Sequence, residues 1–119
     1  MGKSQREKGK RGERMFRDVL RAAGFDPEHT YRTQQYSGKA ADGTSSDVTC
    51  RQLPSLYWEV KNVERLNLWA AFAQASSDCP DGRMPVVAHT RNHHPFLVTL
   101  KAEDFLEIVR RSDIIEEVE

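Results

Sequence analysis

Apolar residues recur with a helical period in the first fifth of the chain. Phe16, Val19, Leu20 and Ala23 fall at i, i+3, i+4 and i+7, which is one stripe on a helix. The spacing predicts a helix over residues 9–23, with Gly24 as its C-terminal stop. Residues 1–8 carry no such stripe and are expected to form a flexible basic tail. The period then shortens. Residues 29–36 mix β-formers with polar groups and suggest a strand, and residues 37–46, rich in Gly, Ser, Ala and Asp, read as a loop. Residues 47–50 and 56–61 are predicted to pair as a hairpin across the turn at Leu53-Pro54-Ser55.

In the second strand of that hairpin, Leu56, Trp58 and Val60 alternate with Tyr57, Glu59 and Lys61. Successive side chains point to opposite faces of a strand. Glu59 and Lys61 therefore share a face, backed by an apolar one. Asn67 is suited to cap a helix over residues 68–77, with Trp69, Phe72 and Ala73 as its buried side. Residues 79–82 have turn chemistry. Two further strands, 85–90 and 96–100, flank residues 91–95. A last helix is expected over 102–111, with Phe105, Leu106 and Val109 inward. The order α-β-β-β-α-β-β-α implies an α/β fold, a small mixed β-sheet flanked by helices, in one domain over residues 9–119.

The 119 residues suit one modest core, and 38% hydrophobic with 30% charged content fits a soluble globular chain. No apolar run approaches a membrane span. The first residues lack an apolar stretch, so a secretory signal is not expected. Cys50 and Cys79 do not make a disulfide framework and are expected to be reduced in a cytoplasmic setting. The net charge is zero, but it is unevenly spread. Residues 1–39 hold ten Lys/Arg against five Asp/Glu, whereas residues 101–119 hold three against seven. The basic end suits a polyanion.

Candidate chemistry concentrates on Asp47, Glu59 and Lys61. Phosphodiester hydrolysis needs a hard cation, an aligned water and stabilisation of negative charge. Mg²⁺ takes oxygen ligands and keeps several waters, so a few carboxylates suffice. Asp47 and Glu59, on adjacent strands, are suited to approach one ion from two sides, with the Val60 carbonyl as a third ligand. Lys61 would orient the attacking water or neutralise the phosphate. Glu13 lies where the apolar stripe of the first helix extrapolates backwards, at the edge of the buried side. A carboxylate there suits a further metal or water ligand. Gly12 beside it permits a close approach of the helix to another element.

Gly12-Glu13-Arg14, Ser37-Gly38, Ser46-Asp47-Val48, Glu59-Val60-Lys61 and Gln74-Ala75 occur in the order used by the PD-(D/E)xK nuclease superfamily. The chain resembles its archaeal and phage Holliday junction resolvase branch. Glu64-Arg65-Leu66-Asn67-Leu68-Trp69 and Pro85-Val86-Val87 look like the small phage-encoded members, and the likeness covers nearly all of residues 8–110. Ser46 stands where that superfamily often has the proline of its name, which shapes a turn and is not a ligand. The resemblance implies a restriction-endonuclease-like core, a homodimer and Mg²⁺-dependent cleavage of branched DNA, with Mn²⁺ as a possible substitute. It implies that Asp47 and Glu59 bind metal, that Lys61 is the catalytic lysine, and that Glu13 completes the site. Ser37 matches a loop serine near the cleavage point, and Gln74 a glutamine that points back at the site.

Lys8, Lys10, Arg11 and Arg14, with Arg32, Lys39 and Arg65, are the expected contacts to DNA phosphates. Such contacts carry no sequence information. His89, His93 and His94 show no metal-ligand spacing with the cysteines. Two other functions remain open. One is a nuclease of the same chemistry acting on flaps, nicks or duplex DNA. The other is a DNA-binding or assembly protein that keeps the fold without turnover.

Overall fold

The computed structural model describes residues 2–33, 35–36, 39–40 and 46–119, with residues 35–36 and 39–40 described by their backbone alone. The first helix, α1, spans Lys3–Ala22 and is 20 residues long. It starts six residues before the predicted point. Lys, Ser, Gln, Arg and Glu at its start are adequate helix formers but carry no apolar stripe, so periodicity is blind to them. A 3₁₀ turn at Pro27–His29 leads to β1, Thr30–Arg32. Strands β2 (Gln35–Tyr36) and β3 (Lys39–Ala40) pair with each other as a separate two-stranded sheet. With two residues per strand, they are too short to show a period.

Next come β4 (Val48–Cys50), β5 (Leu56–Asn62) and α2 (Leu68–Asp78). They are followed by β6 (Met84–Thr90), β7 (Leu97–Thr99) and α3 (Ala102–Arg110). Leaving β2 and β3 aside, the element order is the predicted one. The main sheet runs β1-β4-β5-β6-β7. β5 and β6 are parallel, joined through α2, and the other pairs are antiparallel. The described residues thus form a mixed α/β fold with a five-stranded mixed sheet and three α-helices. Among the described residues no helix is long and apolar enough to cross a membrane.

The sheet has a different helix on each face. Phe16 and Leu20 of α1 pack against Val48, Cys50, Trp58, Val60, Val86 and Ala88. The rings of Phe16 and Trp58 stand 5.0 Å apart and those of Phe16 and Phe96 5.2 Å. On the opposite face, Ala71 and Ala75 of α2 pack on Val87, with Leu66, Leu68 and Phe72 at the margin. Asn67 caps α2 as expected, its side chain accepting from the Ala70 N–H at 3.1 Å. Trp69 and Ala73, expected to be buried, are exposed. The small Ala71 and Ala75 face inward instead and let α2 lie close to the sheet. Cys50 and Cys79 are free thiols.

The last helix departs most from expectation. None of its nine residues is buried. Phe105 and Leu106, predicted to face inward, are 52% and 57% exposed, and Val109 is half-buried. Its apolar stripe is real but covers no core.

Candidate active site

The site begins where β4 stops pairing with β5. Val48 and Trp58 are partners, and the Asp47 N–H still reaches the Trp58 carbonyl at 2.9 Å. The next donor along β5, the Val60 N–H, is met at 2.8 Å by the Asp47 carboxylate Oδ2. A side chain thus meets the donor that follows the β4–β5 ladder among the described residues. Because Trp58 and Val60 face α1, Glu59 and Lys61 must point to the other side. Glu59 is 8% exposed, and its Oε1 lies 3.8 Å from the Lys61 ammonium. This is a sheltered pair on one face, as alternation predicted.

The carboxyls of Asp47 and Glu59 are within hydrogen-bond reach of each other. Burial, then the Glu59 charge, push the Asp47 carboxyl up to about 8, against the Val60 N–H, which lowers it. Burial also raises Glu59, while Lys61 opposes the rise. Ionising both carboxyls here is costly, and the Lys61 ammonium offsets only part of that cost. Burial and the neighbouring Glu59 charge thus favour the protonated form of Asp47 at neutral pH.

The structure brings Glu13, Asp47, Glu59, Val60 and Lys61 to one pocket of about 650 Å³, closed by the first turns of α1 at Gln5, Lys8 and Gly9 and by Asn62, Val63 and Glu64. Glu13 is not free in it. Its Oε1 accepts from Arg32 Nε at 2.9 Å. Arg32, expected to contact DNA, is therefore engaged by Glu13. Among the described residues no group of three or more His, Cys, Asp and Glu side chains stands close enough to hold one metal ion. Asp47 and Glu59 fit a divalent ion as a pair. Their crowding is of the kind a cation relieves, and Mg²⁺ is commonly held by one or two carboxylates plus water and phosphate. Glu13 lines the pocket without joining that pair.

α1 gets this close because of Gly12. A Cβ there would stand 2.7 Å from the Cβ of Asn62, nearer than such atoms approach. Asn62 is 8% exposed and donates from Nδ2 to the Lys8 carbonyl at 3.1 Å. Sequence reading found Gly12 but missed Asn62, since nothing local marks a residue fifty positions away as its partner. The side chain of Lys8 also pairs with Glu64 at 3.4 Å, and Glu64 accepts from the Asn92 N–H at 2.7 Å.

Other expected site residues lie apart. Gln74 is exposed on α2 and does not line the pocket. Ser37 lies outside the described residues, and Lys39 is described only as backbone in β3. Lys10, Arg11 and Arg65 are exposed, and Arg14 is half-buried. One further pattern emerges once α1 is known to start at Lys3. Lys3, Arg6, Lys10, Arg14 and Arg17 fall at i, i+3, i+7, i+11 and i+14, a single basic stripe roughly 21 Å long at 1.5 Å per residue. The signal was present in the charges and was missed because the period was sought only in apolar residues. Comparison of the chain with protein-family models, curated proteins and solved structures gave no match.

Proposed function

We propose that the chain is a divalent-metal-dependent, structure-selective DNA endonuclease of restriction-endonuclease-like architecture, resolving four-way DNA junctions as a homodimer. The observation that carries this reading is the Asp47–Glu59 carboxyl pair beside β5, with the Lys61 ammonium 3.8 Å from Glu59.

Asp47 and Glu59 would hold the ion, with Val60 at the pocket wall. A bound Mg²⁺ supplies Lewis-acid polarisation of the scissile phosphate and activation of a water. Asp47 is held at its place by the Val60 N–H, so it needs no reorganisation before the reaction. Burial of Glu59 excludes bulk water and strengthens every charge interaction in the pocket. Lys61 would orient the attacking water or neutralise charge on the phosphate. Arg32 keeps the Glu13 carboxylate at the pocket rim, where it can accept from a water. The basic stripe of α1 suits the DNA backbone and gives affinity without base selection.

Two matched cuts on a four-way junction call for two sites related by a two-fold axis. The test is the initial rate on an immobile four-way junction and on matched linear duplex, each with Mg²⁺ and with chelator. Fast, Mg²⁺-dependent cutting of the junction is expected. Equal rates on both substrates would overturn the junction preference, and no cutting of either would overturn the nuclease reading.

A further inference from the structure

The second region that demands an explanation is α3 and its surroundings. It is a nine-residue helix with no buried residue, and isolated helices of that length are not stable in water. Its apolar stripe, Phe105 and Leu106 with Ile108 beside them, is open to solvent. Leu97, 60% exposed on the edge strand β7, and Trp69, 85% exposed at the start of α2, are further large apolar residues open to solvent. Between them, Leu68, Trp69 and Phe72 face residues 99–103 across an apolar cleft of about 580 Å³. An apolar helix face left open beside an apolar cleft marks an interaction surface.

The charges on α3 point to its occupant. The first turn is acidic, with Glu103 and Asp104, and the last turn is basic, with Arg110. Arg111 follows, paired with Glu107 at 2.8 Å. From Lys101 to Arg111 the three bases balance three acids. A helix acidic at one end and basic at the other is complementary to itself when reversed. In an antiparallel pair, each acidic turn meets the other helix's basic turn, and the helix dipoles also oppose favourably. A two-fold axis generates that arrangement from one surface patch.

We propose that α3 packs antiparallel against α3 of a second copy of this chain, with Phe105 and Leu106 at the seam and Trp69 and Leu97 at its margin. The interface stands on the exposed face and its charge order, independently of any activity. It leaves the Asp47–Glu59 pocket uncovered, since that pocket is lined by α1, β5 and the segment after β5.

Sedimentation or light scattering at micromolar concentration tests it. Wild type should have twice the mass of the chain. The pair Glu103→Lys and Asp104→Lys, and separately the pair Arg110→Glu and Arg111→Glu, should each weaken the dimer about tenfold or more by placing like charges together. An equimolar mixture of the two variants should regain the dimer mass, because their ends are again complementary. Leu106→Glu should give a monomer that mixing does not rescue. A monomeric wild type would overturn the proposal, as would swapped variants that dimerise as tightly as wild type or a mixture that fails to recover.

Discussion

The two ends of the molecule use their polar and apolar residues in opposite ways. Beside β5, carboxyls that water would stabilise are held dry: Glu59 is 8% exposed and Asp47 is tied to a backbone N–H. On α3, side chains that water disfavours are left wet, with Phe105 and Leu106 more than half exposed. Each is the reverse of what folding alone favours. Under the proposed function a cation and its phosphate would relieve the first reversal, and under the proposed α3 pairing a second copy of the chain would relieve the second. The core cluster from Phe16 through Trp58 to Ala88 holds no carboxyl and no exposed apolar side chain.

The sharpest break of this contrast is removal of a pocket carboxylate. Asp47→Ala should lower single-turnover cleavage by roughly a thousandfold or more, in line with the loss of a group acting in the transition state, while DNA affinity stays within a few-fold. The corresponding change on α3, Leu106→Ala, should leave the intrinsic rate per site nearly unchanged.

Gly12→Ala tests how closely α1 must press on β5. The added methyl meets Asn62 Cβ at 2.7 Å, and overpacking of this kind costs about 1–3 kcal/mol. Denaturant melts should show that loss, with weaker cleavage as Glu13 moves away. The double variant Gly12→Ala with Asn62→Gly should be more stable than the sum of the two single losses, since the clashing atom is gone. Strict additivity would argue that the contact sets nothing.

The pH dependence of stability separates the dry carboxyls from ordinary surface acids. Asp47 is raised to about 8 when folded, so the folded state holds a proton that the unfolded chain has released above about 4. Its contribution is full below the unfolded value and is lost as pH rises through the folded one. The melting temperature of metal-free protein should therefore fall progressively between about pH 4 and pH 8 and level above that. Burial lowers the His89 pKa, which acts in the opposite direction in the acid part of that range, so the part above pH 7 reads Asp47 most cleanly. Asp47→Asn should remove the slope, and Mg²⁺ should reverse it by displacing the proton. The smallest effect belongs to the basic stripe. Arg6→Ala should weaken DNA binding uniformly across sequences and reduce the salt slope by about one.

How much of this was legible in the sequence follows from where the deciding information lies. The β5 faces could be read because strand alternation is local, and the Asp47–Glu59 approach because a hairpin joins neighbours. The Arg32–Glu13 pair, nineteen residues apart, and the Gly12–Asn62 contact across two elements have no local signature. Trp69 was expected inside because large aromatic residues usually are, yet Ala71 and Ala75 serve that role by being small. On α3, amphipathicity announced that one face needs a cover. It carries no information on whether the cover belongs to the same chain, which is why Phe105 and Leu106 were expected to face inward.

The most direct measurement is Mg²⁺-dependent cleavage of a four-way DNA junction by wild type and Glu59→Gln, with DNA affinity determined on the same samples. The expected result is cutting by wild type that chelator abolishes, and binding without cutting by the variant. Cutting at a comparable rate by Glu59→Gln, or no cutting by wild type that binds the junction, would contradict a catalytic carboxyl pair beside β5.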